Sequence, residues 1–371
     1  MFCKTETQRS NMKIGILGGG QLAMMMIQMS AKHKIDFIVV DPNKNPPASK
    51  FARCIESEFD DKSSLDKLIQ DCDVVTIDFE NVPASSLKYL ESKINVYPGS
   101  YAVEICQDRL KEKLIFQRNN IPTTEYRTVS SESDLQIAIN DLGTNTILKS
   151  RKLGYDGKNQ ITINNLTAKD AWVQSGRAEA ILERKINFDT ELSIIGVRTK
   201  SGDSFFYPLV ENFHKDGILD ISIAPYNNHA LQEKAESYHK KISEELNYIG
   251  ILVIEFFLDI NGELIANEMA PRVHNSGHWT NEGADISQFE AHIMAISNIS
   301  IKKIITEGNS GMLNILSKMP NMNTLNYNYD YILYDYGKSE RNNRKLGHIT
   351  LTDTNRDILI SKLSRLKEEI F

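Results

Sequence analysis

From Lys13 to Tyr97 the chain alternates short apolar runs with longer amphipathic stretches. The apolar runs are Ile14–Leu17, Phe37–Val40, Val74–Ile77 and Ile94–Tyr97, and helix-like stretches fill 21–33, 62–70 and 84–91. Strands alternating with helices in this way predict a parallel, doubly wound sheet. The pattern predicts one further helix over 101–119, carrying Asp108, Arg109, Lys111, Glu112 and Lys113 and stopped by Asn119, Asn120 and Pro122. From 122 to about 300 strands dominate, with helices predicted near 131–141, 167–173, 229–247 and 287–297, an α+β pattern. Residues 301–371 offer two strand-like runs, Tyr331–Tyr336 and His348–Leu351, and a helix near 355–369.

A chain of 371 residues exceeds one compact core and predicts two or three packed units. Hydrophobic residues at 41% and charged residues at 25% are the balance of an ordinary globular protein. The formal charge of −6 gives no electrostatic case for nucleic acid, which calls for a basic face. No apolar run approaches the length of a membrane span, and residues 1–11 read as a disordered extension or an upstream start. Cys3, Cys54, Cys72 and Cys106 form no C-x-x-C pair and read as free thiols in a reducing cytoplasm.

Gly18-Gly19-Gly20-Gln21-Leu22-Ala23 follows the first strand and opens a helix, with Asp41 closing the second strand. That is the dinucleotide fingerprint, and on it alone a nicotinamide oxidoreductase would be inferred. The physics carries less: a structural turn, or amides at a helix N-terminus that receive an anion such as a phosphate.

A sharper signal lies in Ile251-Leu252-Val253-Ile254-Glu255-Phe256-Phe257-Leu258-Asp259-Ile260, where one carboxylate interrupts an apolar strand. Burying it unpaired would cost several kcal/mol. Asn261-Gly262 predicts a two-residue type I′ turn pairing Ile260 with Glu263, and counting back places Glu255 opposite Glu268. Opposed like charges repel, and a magnesium ion converts that repulsion into coordination. The competing reading is a pair capped by Arg272, or one protonated glutamate.

Directly after this hairpin comes Asn267-Glu268-Met269-Ala270-Pro271-Arg272-Val273-His274-Asn275-Ser276-Gly277-His278-Trp279, a run dense in hydrogen-bonding groups. It resembles the signature of ATP-grasp ligases, most closely the 5-(carboxyamino)imidazole ribonucleotide synthase family of purine biosynthesis. The wider superfamily has Glu-x-Asn here, whereas this chain has Ala270 at the Asn position and Asn267 before the Glu. By strand alternation Asn267 faces away from Glu268, which suits a nucleotide contact better than a metal ligand.

Other segments resemble the same family in order. Lys149 ends a strand, and the loop Arg151-Lys152-Leu153-Gly154-Tyr155-Asp156-Gly157-Lys158-Asn159-Gln160 is similar to the family's phosphate loop, with Leu153 and Asn159 where glycines are expected. Its amides and cations suit a triphosphate, and Asn tolerates positive φ. The segment Glu183-Arg184-Lys185-Ile186 resembles the adenine clasp, Glu191 the ribose carboxylate, and Arg109 and His214 nucleotide contacts. The basic cluster Lys338, Arg341, Arg344 and Lys345 is the expected receptor for the acceptor's phosphate, with Gly20 and Gln21 on the opposite wall.

The resemblance implies an ATP-grasp fold, α/β and α+β: a Rossmann-like pre-ATP-grasp domain at 12–110, an ATP-grasp domain at 111–300 with a lid at about 122–185, and a small β-rich C-terminal domain at 301–371. It implies ATP and Mg2+ as cofactors, the metal on Glu255 and Glu268, and carboxylation of 5-aminoimidazole ribonucleotide with bicarbonate through carboxyphosphate. Arg272 would bind bicarbonate, since guanidinium matches planar oxyanions, and His274 would act beside it. Asn275, Ser276, Tyr155 and Asp156 would orient the acceptor. A cytoplasmic homodimer coupled to a mutase, the next enzyme of the pathway, is also implied. A glycinamide ribonucleotide transformylase relative would fit the fold but not Asn267–Trp279 or Gly337–His348. A nucleotide binder that has lost catalysis draws some support from Leu153 and Asn159.

Overall fold

The computed structural model describes residues 11–152, 154, 159–321 and 330–370. Expectations resting on Leu153, Tyr155, Asp156, Gly157 and Lys158, and on residues 1–10, lie outside the described residues.

The first unit is a parallel sheet in the order Arg53–Glu56, Asp36–Asp41, Lys13–Leu17, Val74–Ile77, Asn95–Val96. Its buried strands are short continuous apolar runs because helices cover both faces. The predicted helix over 101–119 is instead two, Ser100–Cys106 and Arg109–Arg118. Asp108 breaks it: the residue is extended, and its side chain accepts from the Leu110 amide as the N-cap of the second helix.

A small antiparallel sheet runs Tyr126–Val129, Ala180–Arg184, Thr146–Ser150, Gln160–Thr162. Among the described residues the largest sheet has nine strands, with Leu264–Ala270, Gly250–Asp259, Phe188–Arg198, Val210–Lys215 and Ile218–Ala224 in sequence across it and Ser204–Phe206 paired beside Phe188–Arg198. It continues into Asn309–Leu316, Lys345–Asp353 and Tyr331–Asp335. The strand Asn309–Leu316 was not expected, and it is what joins the C-terminal strands to the central sheet instead of leaving them a sheet of their own. Its buried positions include Asn309, Ser310 and Asn314, so its polar content hides the apolar signature of an interior strand.

The hairpin at Asn261-Gly262 differs from expectation. Asp259, not Ile260, closes it against Glu263, through the bond from Asp259 N–H to the Glu263 carbonyl at 3.0 Å. The loop is three residues long with Gly262 at φ +79, the arrangement in which a left-handed glycine follows a turn. Pairing is therefore offset by one from Leu258 and Leu264 to Phe256 and Ala266. A bulge at Asn267 then removes the offset, and Glu255 stands opposite Glu268. Two departures from the predicted geometry cancel.

Candidate active site

The bulge also corrects the expected orientation of Asn267. Ile265 is paired with Phe257 and Glu268 with Glu255, so these four share one face of the sheet, and Asn267, two beyond Ile265, starts on that face as well. Its Oδ1 is buried and has no hydrogen-bond partner. Glu191 and Ser193 reach the same face, as neighbours of Phe257 and Glu255 on the adjoining strand.

Burial, with Glu268 opposite, pushes the Glu255 carboxyl up to about 7, against the pull of His214. Arg109 caps Glu268, its Nη1 2.9 Å from Oε2. Among the described residues the hydrogen bonds of Arg272 lie away from the pair: its Nε donates to Glu80 and its Nη1 to the Val273 carbonyl. His214 and Glu191, predicted separately, form an ion pair beside Glu255.

The helix Arg109–Arg118 contributes more than Arg109. Glu112, one turn on, accepts from the Met269 amide at 2.8 Å, and burial followed by the charge of Glu268 raises its carboxyl to about 8. Lys113, 2% exposed, lies 3.1 Å from one oxygen of Glu183, and Lys149 lies 2.6 Å from the other. Burial opposes ionisation of Glu183, yet Lys149 and Lys113 hold it down to about 2. Glu183 is thus a bridge between two cations. Arg184, the next residue on the strand, points elsewhere: its Nη1 donates to the Leu142 carbonyl and its Nε to Glu125. The amides of Arg184 and Lys185 donate to the carbonyls of Glu125 and Asn145. Ile186 lies just past the strand end.

The described part of the segment 151–160 is tied to this helix. Arg151 grips Asp108 with two nitrogens at 3.0 and 2.6 Å, and a Cβ on Gly154 would lie 3.0 Å from Arg109 Nη2. Asn159 adopts φ +58, as expected of an asparagine in a glycine's place, and Gln160 pairs with Lys149 across the sheet.

The glycine turn binds no external anion through most of its amides. Gly19 N–H donates to Asp41 at 2.7 Å, and Gly20 and Ala23 donate to Asp78 at 2.6 and 3.4 Å. A Cβ at Gly18 would fall 1.6 Å from Asp78 Oδ1. Two internal carboxylates therefore take the place that a dinucleotide's phosphates and ribose would need, which removes the nicotinamide reading. Burial and the nearby Asp41 raise the Asp78 carboxyl to about 7.

One cavity of about 620 Å³ is lined by several of these residues, Arg109, Glu112 and Glu268 among them, whereas Glu255, Lys149, Glu183, Glu191 and His214 lie outside its lining. Gly20, Gln21 and Glu80 line one wall, Lys338, Arg344 and Lys345 another, and Arg109, Gly154, Glu268, Arg272, His274 and Asn275 the floor. Lys338 donates to Gln21 across it. Burial, then Arg344 and Lys345, lowers the Lys338 ammonium to about 8. Among the described residues Asn275 has no partner for either of its buried side-chain polar atoms, and Ser276 is fully buried against His274. Burial, Arg272, Lys345 and His214 hold the His274 imidazolium well below its usual range.

Sequence reasoning missed Glu80, Glu112, the buried role of Lys113, and Asp78. A signal existed for two of them: Asp78 and Glu80 directly follow Val74–Ile77, and parallel sheets gather ligands beyond the carboxyl ends of their strands.

Three family models match the chain: a ribonucleotide synthetase preATP-grasp domain at 11–107, an ATP-grasp domain at 114–289, and a phosphoribosylaminoimidazole carboxylase C-terminal domain at 310–362. The N5-carboxyaminoimidazole ribonucleotide synthase of Pseudomonas aeruginosa is 38% identical over 96% of this chain and 99% of its own length. That of Saccharolobus solfataricus is 37% identical over 97% and 96%. The crystal structure of the Thermus thermophilus synthetase superposes with a TM-score of 0.91 at 38% identity, covering 96% of this chain and 98% of that one. The Aspergillus clavatus synthase in complex with ADP and 5-aminoimidazole ribonucleotide matches with a TM-score of 0.87 at 27% identity over 97% and 98%. By sequence and by fold alike, the chain belongs to the N5-carboxyaminoimidazole ribonucleotide synthase family of ATP-grasp ligases.

Proposed function

We propose that the cavity joins a metal–triphosphate half to an acceptor half, and that the carboxylation catalysed by this family takes place where they meet. The chain is an ATP-grasp ligase of purine biosynthesis that carboxylates 5-aminoimidazole ribonucleotide at the expense of ATP. The observation that supports the division of labour best is the opposed pair Glu255 and Glu268, with Glu191 on the same face of the sheet.

Magnesium fits this pair. Two carboxylates and an orphaned Asn267 Oδ1 nearby match an ion that takes one or two carboxylates and fills its shell with phosphates and water. Bound there, it would supply charge neutralisation for the phosphates. Lys149 and Arg109 would hold the triphosphate with the loop 151–160 closing over it. The segment 183–186 would face adenine, with Glu191 and His214 toward the ribose.

Arg272, aligned by Glu80, would grip bicarbonate, and neutral His274 would hydrogen-bond to it. A bicarbonate oxygen attacks the γ-phosphorus, the bond to the β-phosphate oxygen breaks, and ADP leaves. The acceptor amine then attacks the carbon of carboxyphosphate, or carbon dioxide released from it, and phosphate departs as the amine loses a proton. Lys338, Arg344 and Lys345, with Gly20 and Gln21, would hold the acceptor's phosphate, and Asn275 its base and sugar, with Ser276 buried behind them against His274. The protein's contribution is positioning and charge compensation rather than covalent catalysis.

The domains are taken as 12–110, 111–300 with a lid at about 122–185, and 301–371, following the resemblance. A cytoplasmic homodimer that passes its product to a mutase completes the reading. No helix among the described residues is long and apolar enough to cross a membrane. Coupled-enzyme detection of ADP tests the proposal: release must depend on bicarbonate and on the aminoimidazole ribonucleotide together. Equal release without the ribonucleotide would refute it.

A further inference from the structure

The sheet face that carries Glu255 also carries a line of buried neutral polar side chains. Ser193, Asn212, Ser222 and Ser276 are each at most 3% exposed. They come from the strands Phe188–Arg198, Val210–Lys215 and Ile218–Ala224 and from the turn Asn275–Gly277, and they converge on one ring nitrogen. Ser222 Oγ donates to Asn212 Oδ1 at 2.8 Å, Asn212 Nδ2 donates to Ser193 Oγ at 3.0 Å, and Ser193 Oγ donates to Ser276 Oγ at 2.9 Å. Ser276 Oγ lies 2.9 Å from His274 Nδ1. An apolar sheet face would need none of this, and four polar groups are buried at some expense unless their arrangement does something.

The direction of the chain follows from its chemistry. An amide nitrogen only donates, so Asn212 Nδ2 fills a lone pair of Ser193 and leaves the Ser193 proton for Ser276. The Ser276 proton is then left for His274 Nδ1. The Ser276 backbone N–H, 3.3 Å from the same Nδ1, also can only donate. Two donors aimed at Nδ1 leave no place there for a hydrogen, so the neutral ring carries it on Nε2. That nitrogen is 3.9 Å from Glu255 Oε1, and His274 lines the cavity.

We propose that the buried chain Ser222–Asn212–Ser193–Ser276 is a positioning device that fixes His274 as the Nε2–H tautomer, so that it offers the reacting oxyacid a hydrogen-bond donor and not a base. The proposal rests on the placement of His274 beside the oxyacid given above. It explains why a sheet face adjoining two carboxylates spends serines and an asparagine on an interior position. It also separates Ser276 from Asn275: Ser276 acts through the histidine, whereas Asn275 keeps both polar atoms of its side chain unpartnered.

The test is nitrogen-15 NMR of the full-length protein labelled at histidine, with the His274 signals identified by their loss in His274→Gln. Wild type is expected to show a pyridine-type Nδ1 and a pyrrole-type Nε2. Asn212→Asp keeps the side chain's size but replaces the donor by an acceptor. Ser193 then turns its proton back, Ser276 donates to Ser193, Nδ1 keeps only the long 3.3 Å contact from the Ser276 backbone N–H, and His274 gains an Nδ1–H population. Its kcat falls about tenfold, the worth of one hydrogen bond in the transition state, while KM for ATP is unchanged. Ser193→Ala, which introduces no charge, takes away the donor to Ser276, leaves Ser276 Oγ free to accept from Nδ1, and shifts both readouts in the same direction by a smaller amount. A wild-type ring with its hydrogen on Nδ1, or a tautomer unmoved in both folded variants, would overturn the proposal. Failure of the underlying functional reading would show separately, as ADP release indifferent to bicarbonate while the tautomer still responds.

Discussion

Arg272 donates through Nε to a carboxylate oxygen of Glu80, a residue 192 positions earlier in the chain. Both side chains are largely buried, Arg272 at 15% and Glu80 at 21% exposure, and Arg272 together with the burial-opposing charge of Lys345 keeps Glu80 ionised below its usual range despite desolvation. A glutamate from the first unit therefore aims the guanidinium assigned to bicarbonate. Glu80→Gln weakens a charge-assisted bond worth roughly 1.5–3 kcal/mol. The expected result is a KM for bicarbonate raised about tenfold or more with KM for ATP unchanged, measured by steady-state ADP release.

Glu255→Gln separates function from stability. Removing one of two opposed like charges relieves repulsion, so the apo protein's Tm rises by a degree or more, roughly the effect of a fraction of a kcal/mol. Activity falls about a hundredfold or more, because one of the two carboxylates proposed to hold the metal is gone. A structural salt bridge at this position would give the opposite pair of results, measured by differential scanning calorimetry and ADP release.

Glu183→Gln leaves Lys113 and Lys149 facing each other without their shared counter-charge. Deleting one partner of a buried ionic group costs about 3–5 kcal/mol, and a large fall in Tm follows. Lys113→Met added to Glu183→Gln restores part of it, since one uncompensated charge is then removed. A double variant less stable than the single one would contradict the shared bridge.

Asp78 provides a pH signature. Its folded-state carboxyl titrates near 7, above its value in the unfolded chain, so the folded state holds the extra proton between the two. Wild-type stability relative to Asp78→Asn therefore falls as pH rises from about 4 to 7 and levels off above. Thermal melts of both proteins at pH 5 and pH 8 check this: the gap must favour Asn more at pH 8.

How much was legible depended on whether the information was local. The alternation of strands and helices through Tyr97 was readable, because buried parallel strands announce themselves as apolar runs. The facing of Glu255 and Glu268 was reached from sequence, although through a turn and a register that each differ by one residue. What held it is that an isolated carboxylate in an apolar strand must meet a partner, whichever bulge delivers it. Asn267 was misoriented for the same reason, since a bulge reverses alternation and leaves no mark in composition. The glycine turn misled because Asp78, about 60 residues on, fills it. Glu80 with Arg272, Lys113 with Glu183, and the Ser193 chain all join distant segments, and single-sequence periodicity carries no information about such pairings.

The decisive measurement follows an oxygen atom. Bicarbonate labelled with oxygen-18 is turned over with ATP, magnesium and the aminoimidazole ribonucleotide, and the phosphate released is examined by mass spectrometry. Phosphorylation of bicarbonate at this site transfers one labelled oxygen to each phosphate. Phosphate formed without label, at full ADP yield, would mean that water or the acceptor itself takes the phosphoryl group, and the chemistry assigned to the cavity would be wrong.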